Sequence, residues 1–357
     1  MISVFQIFRV LIGLIVFMFV ISFFLRIADM YSYTQTMGNK IDAVNNFDYT
    51  AMQTYTSGNP SEFPGFKDFE TVVYEPPKIK SDAGQKTLTV PVFFMPTKGE
   101  VSLERSCLDF GWFRWCCVFA FPKSAKVLFT IGENTPETRA LIRKVVENLP
   151  GSLEFGFCDG TDARSSDKAQ FLLYLNGSAG TTHRPCEAIL PDYCKLVTIN
   201  ASAGFSSRIK ENHIKINPSS RDVYEFNQSG FPESRRYRDW MDIAVFITGG
   251  VKALDYRNSD FSQELAASAG IMHERSLLVQ QRIKDYNRQP CLECSTPLPQ
   301  ACGWTDQGGV AHESTAYRDF ISSLQRLKSA LTSGEYQSQL DDTALKYDEL
   351  KNQGCES

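Results

Sequence analysis

The chain has 357 residues, enough for two ordinary domains or for one large domain with an appended segment. With 43% hydrophobic and 22% charged residues its composition is that of a globular protein, which excludes wholesale disorder. A formal net charge of −4 excludes the clustered positive charge that non-specific nucleic-acid binding requires, so no nucleic acid is expected as a partner.

At the N-terminus, Val10 to Leu25 is a run of sixteen residues without a charge, preceded by an apolar lead-in interrupted by Gln6 and Arg9. At about 1.5 Å per residue, a helix from Ile2 to Leu25 spans roughly 36 Å, more than a bilayer core of about 30 Å. Lipid is therefore the expected partner of residues 2–25. The exit, S-F-F-L-R-I-A-D-M-Y, is bulky and charged where a signal-peptide cleavage site carries small residues, so residues 1–26 read as a retained transmembrane signal-anchor. The α-amino group and Arg9 precede the run, and the positive-inside rule then puts the N-terminus in the cytoplasm.

Ile27, Met30, Met37, Ile41 and Val44 recur at spacings of three, four and seven, which predicts that the helix continues as an amphipathic stalk. S-G-N-P at 57–60 should end it, giving a stalk and linker over 27–60. The stripe has two readings: packing on the body of the protein, or a protein partner or self-association through the stalk.

Residues 61–124 read as a β-rich subdomain. The runs F-E-T-V-V-Y-E, K-T-L-T-V-P-V-F-F and W-F-R-W-C-C-V-F-A-F are β-branched and aromatic, with Pro, Gly and Lys between them. Cys107 and Cys116 are placed to face each other across a hairpin, whereas Cys116 and Cys117, being adjacent, fall on opposite faces of one strand.

Residues 125–255 change to an α/β rhythm. A-K-V-L-F-T-I-G is a buried-type strand, followed by a helix with Thr135 as N-cap, Pro136 in the first turn and a Pro-Gly stop, and then by the strand S-L-E-F-G-F-C. Such a unit implies a parallel strand pair. Q-F-L-L-Y-L, C-K-L-V-T-I, H-I-K-I-N and M-D-I-A-V-F-I-T-G-G supply further predicted strands. Residues 256–357 read as helical around a Cys-rich loop, with apolar positions at helical spacing over 259–286 and in two later segments. The basic knot E-S-R-R-Y-R-D-W at 233–240 is interrupted by acids and reads as a solvated face.

The ten cysteines, Cys107, Cys116, Cys117, Cys158, Cys186, Cys194, Cys291, Cys294, Cys302 and Cys355, are spread along the chain as disulfide candidates, which points to an oxidising compartment and an extracytoplasmic body. Asn176, Asn200 and Asn227 begin glycosylation triplets, in keeping with that side of the membrane. Cys291, Cys294, Cys302 and His312 have an alternative reading as a zinc site, although the second pair lacks knuckle spacing. No other metal and no cofactor is expected. Asp159 and Asp162 follow a strand, and Gly249 and Gly250 follow another predicted strand, which makes these four the speculative ligand-binding residues. Catalytic signatures such as G-x-S-x-G, H-E-x-x-H and the P-loop are missing, so no catalytic residue is assigned and an enzyme is the less favoured reading.

The expected fold class is mixed α/β: a transmembrane and stalk helix, a β-rich membrane-proximal part, an α/β sheet core and a helical C-terminal part. A long N-terminal helix entering a strand-rich head resembles type IV pilin-like architecture, at that level only. The expected function is that of a single-pass, membrane-anchored extracytoplasmic protein acting in binding or assembly at a cell surface or envelope. The alternative is a membrane-tethered hydrolase or oxidoreductase with its site at the strand ends of the α/β domain.

Overall fold

The computed structural model describes residues 4–131, 135–159, 162–177, 194–199, 213–226, 232–288, 303–305, 311–333 and 336–352. Within them the chain is mixed α/β, with six helices and four sheets. Helix α1 (Val4–Ser57) runs for 54 residues and stops at the expected S-G-N-P. There Gly58 takes a φ of 75° and returns its N–H to the Thr54 carbonyl at 2.9 Å, the αL ending that glycine permits.

From Leu14 to Leu25 α1 is apolar and exposed, and its last part enters the body. Lys40, Val44, Phe47, Asp48, Ala51 and Thr54 are buried, at the three- and four-residue spacing of one helix face. This is not the predicted stripe: Ile27, Met30 and Ile41 are exposed, Met37 is half-buried, and only Val44 is buried. The difference arises because the packed face is fixed by Phe47. Its ring lies 5.3 Å from Phe63, 5.4 Å from Phe66 and 5.2 Å from Phe94. Polar contacts fix the same segment. The Asp48 carboxylate accepts the Thr89 N–H and hydroxyl at 2.8 Å each, Lys40 pairs with Asp82, and Arg105 donates to the Tyr55 carbonyl at 2.8 Å. The last of these satisfies a carbonyl left open at the helix end.

Strand β1 (Ser61–Phe63) is followed by a meander of β2 (Val72–Glu75), β3 (Lys78–Ser81) and β4 (Gly84–Thr87). Strands β5 (Val92–Phe94), β6 (Val101–Asp109) and β7 (Arg114–Pro122) join β1 in a four-stranded sheet ordered β1-β6-β7-β5. The β6-β7 hairpin sets Cys107 opposite Cys116, and the two form a disulfide, as the spacing predicted.

The second sheet contains β8 (Lys126–Ile131), β9 (Glu154–Asp159), β10 (Asp162–Ser166), β11 (Cys194–Ile199), β12 (His213–Asn217), β13 (Asp222–Phe226) and β14 (Pro232–Arg236), in the order β10-β9-β8-β11-β12-β13-β14. Its four central strands, β9-β8-β11-β12, are mutually parallel, and the outer ones pair antiparallel. Helix α2 (Pro136–Asn148) makes the β8-to-β9 crossover with the expected cap, Thr135 accepting the Thr138 N–H at 3.2 Å.

Two predicted strands are helices. Q-F-L-L-Y-L lies in α3 (Lys168–Gly177), and M-D-I-A-V-F-I-T-G-G opens α4 (Trp240–Arg288). Helix α4 as a whole touches β5 and β7 of one sheet, β13 and β14 of the other, and α2, and in its first part Met241 through Thr248 are all buried. A helix covered on all sides has no polar face, and a short apolar run then carries no periodicity to distinguish it from a strand. The chain continues through β15 (Gly303–Thr305), β16 (Ala311–Glu313), α5 (Thr315–Ser333) and α6 (Gln337–Asn352), and the last two helices fall where the sequence predicts them. Ala269 and Met272 of α4 pack with Tyr317, Phe320 and Leu324 of α5 and Leu350 of α6.

Replacing the fully buried Phe47 by alanine should destabilise the body by about 3–5 kcal/mol, the usual cost of emptying a phenylalanine site. Denaturant titration of the detergent-solubilised chain checks this. A loss within the range of an exposed position such as Tyr49→Ala would show that the ring cluster does not hold α1.

Candidate functional site

The predicted ligand residues fall in two places. Asp159 closes β9 and lies opposite Asp162 across the hairpin to β10. Beside this hairpin is an open cavity of about 500 Å³, to which Phe157, Asp159, Arg164, Gln170, Phe171 and Tyr174 contribute. Phe171 is 5.0 Å from Phe157, which is in turn 5.8 Å from Tyr174, so apolar ring surface adjoins one acid and one base. That mixture is typical of a small-ligand cleft.

Gly249 and Gly250 lie elsewhere, at a break inside α4 and not in a turn after a strand. Gly250 has a φ of 70°, and a Cβ there would meet the Glu225 carboxylate of β13 at 2.5 Å. The same carboxylate accepts the Val251 N–H at 3.1 Å and so caps the helix that resumes after the break. Strands β8, β11 and β12 separate β9 from β13, a distance of roughly 19 Å at about 4.8 Å per strand. The two halves of the predicted set are therefore not one pocket.

A buried charged cluster adjoins the break, and sequence reading did not find it. Asp239 accepts the Asp242 N–H at 2.9 Å and Asp242 accepts the Arg238 N–H at 2.7 Å, a reciprocal cap at the start of α4. Arg257, from beyond the break, is fully buried and pairs with Asp239 at 2.7 Å and with Asp242 at 2.6 Å. Its guanidinium also lies 4.7 Å from the Phe261 ring and 5.4 Å from Trp115. Burial raises the Asp242 carboxyl above its ordinary range, with Arg257 opposing. The basic knot at 233–240 is likewise drawn into internal pairs. Arg235 makes a bidentate contact with Asp255 at 2.8 and 2.9 Å, and Arg238 contacts the Tyr336 hydroxyl. Arg257 follows its two partners at spacings that match no motif and gives no local sign of such a cluster, because its members meet only across the break at Gly250.

Among the cysteines, Cys158 is also disulfide-bonded, whereas Cys117 and Cys194, both expected to pair, are free and buried. Cys117 is buried in the main core, on the face of β7 opposite to its neighbour Cys116. Burial raises both thiols, Cys194 to about 11, which suppresses the reactive thiolate. Cys186, Cys291, Cys294, Cys302 and Cys355 lie outside the described residues, and the zinc reading falls there too; of its four residues only His312 is placed, on β16 opposite Trp304. Asn176 lies in the last turn of α3, and Asn200 and Asn227 lie outside the described residues. The loops after β8 and β11, where the strand order reverses, are 132–134 and 200–212, and these are outside as well.

At the start of β12, the last of the four parallel strands, His213 is buried and its Nε2 lies 2.7 Å from the Thr198 hydroxyl. Burial lowers its pKa to about 4.

The most exposed feature is α1 itself. It is long and apolar enough to cross a membrane, and none of its apolar window is buried in the body. The chain matches no family model, no curated protein and no solved structure.

In mass spectrometry under non-reducing conditions, Cys107 and Cys116 should be linked, and Cys117 and Cys194 should take up a thiol reagent only after denaturation. Labelling of Cys117 in the folded protein would contradict its burial. His213 gives a pH signature. Its folded pKa lies below the unfolded value of about 6.5, so its contribution is complete above that pH and is lost as pH falls toward 4. Between pH 7 and pH 4.5 the loss should be about 2–3 kcal/mol beyond that of His213→Gln, measured by denaturant titration at both pH values. Parallel pH slopes for the two proteins would contradict this.

Proposed function

We propose that the chain is a single-pass membrane protein whose disulfide-braced body lies on the extracytoplasmic side and acts in binding or assembly at a cell surface or envelope. Residues 2–25 sit in the bilayer in this reading, with the N-terminus cytoplasmic. The observation that carries it is the continuity of α1. A discarded signal is separate from the fold it delivers, but here one unbroken helix joins the apolar run to Phe47 in the core. Removing the run as a separate peptide would cut a helix that the body holds.

The geometry also supports a membrane-proximal β-rich part, since the buried face of α1 meets β1, β4, β6 and β7. From Leu25 to Lys40 the helix covers about 22 Å, so the body stands off the bilayer on a single helical stalk. Tyr31 and Tyr33, both exposed at its base, suit the membrane–water interface.

The cleft beside Asp159 is what favours the second reading, a membrane-tethered enzyme. Its described lining contains one carboxylate and no histidine or thiol, a set better suited to binding than to proton transfer.

Alkaline carbonate extraction of membranes from cells making the full chain tests the anchor. The protein should stay in the pellet, and a variant lacking residues 2–25 should move to the supernatant. Release of the full chain by carbonate would overturn the proposal.

A further inference from the structure

We propose that α1 pairs in parallel with the α1 of a second copy of this chain, along a seam from Val16 to Ile41. The inference rests on the reading of α1 as a membrane anchor and names the partner of its exposed stripe. Val20, Ile27, Thr34 and Ile41 follow one another at intervals of seven, and Val16, Phe23, Met30 and Met37 do the same in the complementary position. The two series alternate by three and four, the a and d pattern of a two-stranded coiled coil, and a strict seven-residue repeat winds such a pair left-handed. Every residue of the first series is β-branched, the residue type found at the a positions of parallel two-stranded coils.

The body leaves this seam open except at Met37, which is half-buried. Met30 is 70% exposed, Phe23 62%, Ile41 47% and Ile27 45%, even though Lys40 and Val44 on either side of Ile41 are buried. At about 100° per residue, the seam lies roughly a quarter turn around α1 from the face that holds Phe47, so two copies can meet while their bodies lie to opposite sides.

Charge selects a second copy as the occupant. Between Val16 and Ile41 the positions flanking the seam carry Arg26 and Lys40 as their only charges, and Lys40 is already paired with Asp82 of its own body. In a parallel pair Arg26 faces Tyr31 of the other copy, a cation opposite an aromatic ring, and Phe19 faces Phe24. Asp29 falls away from the seam. The membrane orients every copy in the same direction and confines them to one plane, which raises their effective concentration.

Single cysteines introduced into the full chain in native membranes test the seam. Oxidation should link Ile27→Cys and Met30→Cys into dimers at least tenfold more than Ser32→Cys or Asp29→Cys, which lie on the outer face. Carbonate extraction of the same samples reports the anchor. Equal cross-linking at all four positions, or none at any while the protein stays in the pellet, would overturn the seam and leave the anchor standing. Release from the pellet would overturn the anchor and the seam with it. Because the four positions are exposed on a helix clear of the body, none of the variants perturbs its folding.

Discussion

The packing of Phe47 among Phe63, Phe66 and Phe94 is the contact on which the organisation of this protein depends, because it makes an apolar helix part of the fold. Burying aromatic rings against one another is worth more than their area alone, and the geometry is directional. The Asp48 contacts with Thr89 and the Arg105 contact with the Tyr55 carbonyl then fix the rotation of α1 about its own axis. Once that rotation is set, the faces that α1 leaves exposed are set as well. A flexible tether would define none of them.

Deeper in the body, α4 performs the corresponding role between the two sheets. Its first turns are buried on every side, and its later turns serve a separate cluster with α5 and α6. The break at Gly250 allows one helix to reach both environments. Arg257 closes the angle by pairing with the two acids that cap the start of the helix. Buried ion pairs contribute little net stability, but removing one partner leaves a charge without compensation, so this cluster constrains the fold more than it strengthens it.

What was legible in the sequence was local. The length and end of α1, the cap of α2 at Thr135 and the Cys107–Cys116 bridge each follow from residues a few positions apart. What escaped depends on tertiary surroundings. The run M-D-I-A-V-F-I-T reads like a strand because it is buried throughout and shows no helical period, and the face of α1 that packs is the one bearing Phe47, not the more regular stripe of Met30 and Ile41. The same division holds for the site. Asp159 was found at a strand end, where it adjoins a cleft, while Gly250 shares the properties of a turn glycine but lies about four strand spacings away, inside a helix. The Arg257 cluster joins residues from either side of that break, and no spacing in the chain announces it.

The central claim, an anchored body held outside the cytoplasm, is tested most directly by protease protection in sealed vesicles with their cytoplasmic face outward. An N-terminal tag should be digested at once, and the body should stay intact until detergent opens the vesicles. Digestion of the body before detergent, with the tag protected, would contradict the account.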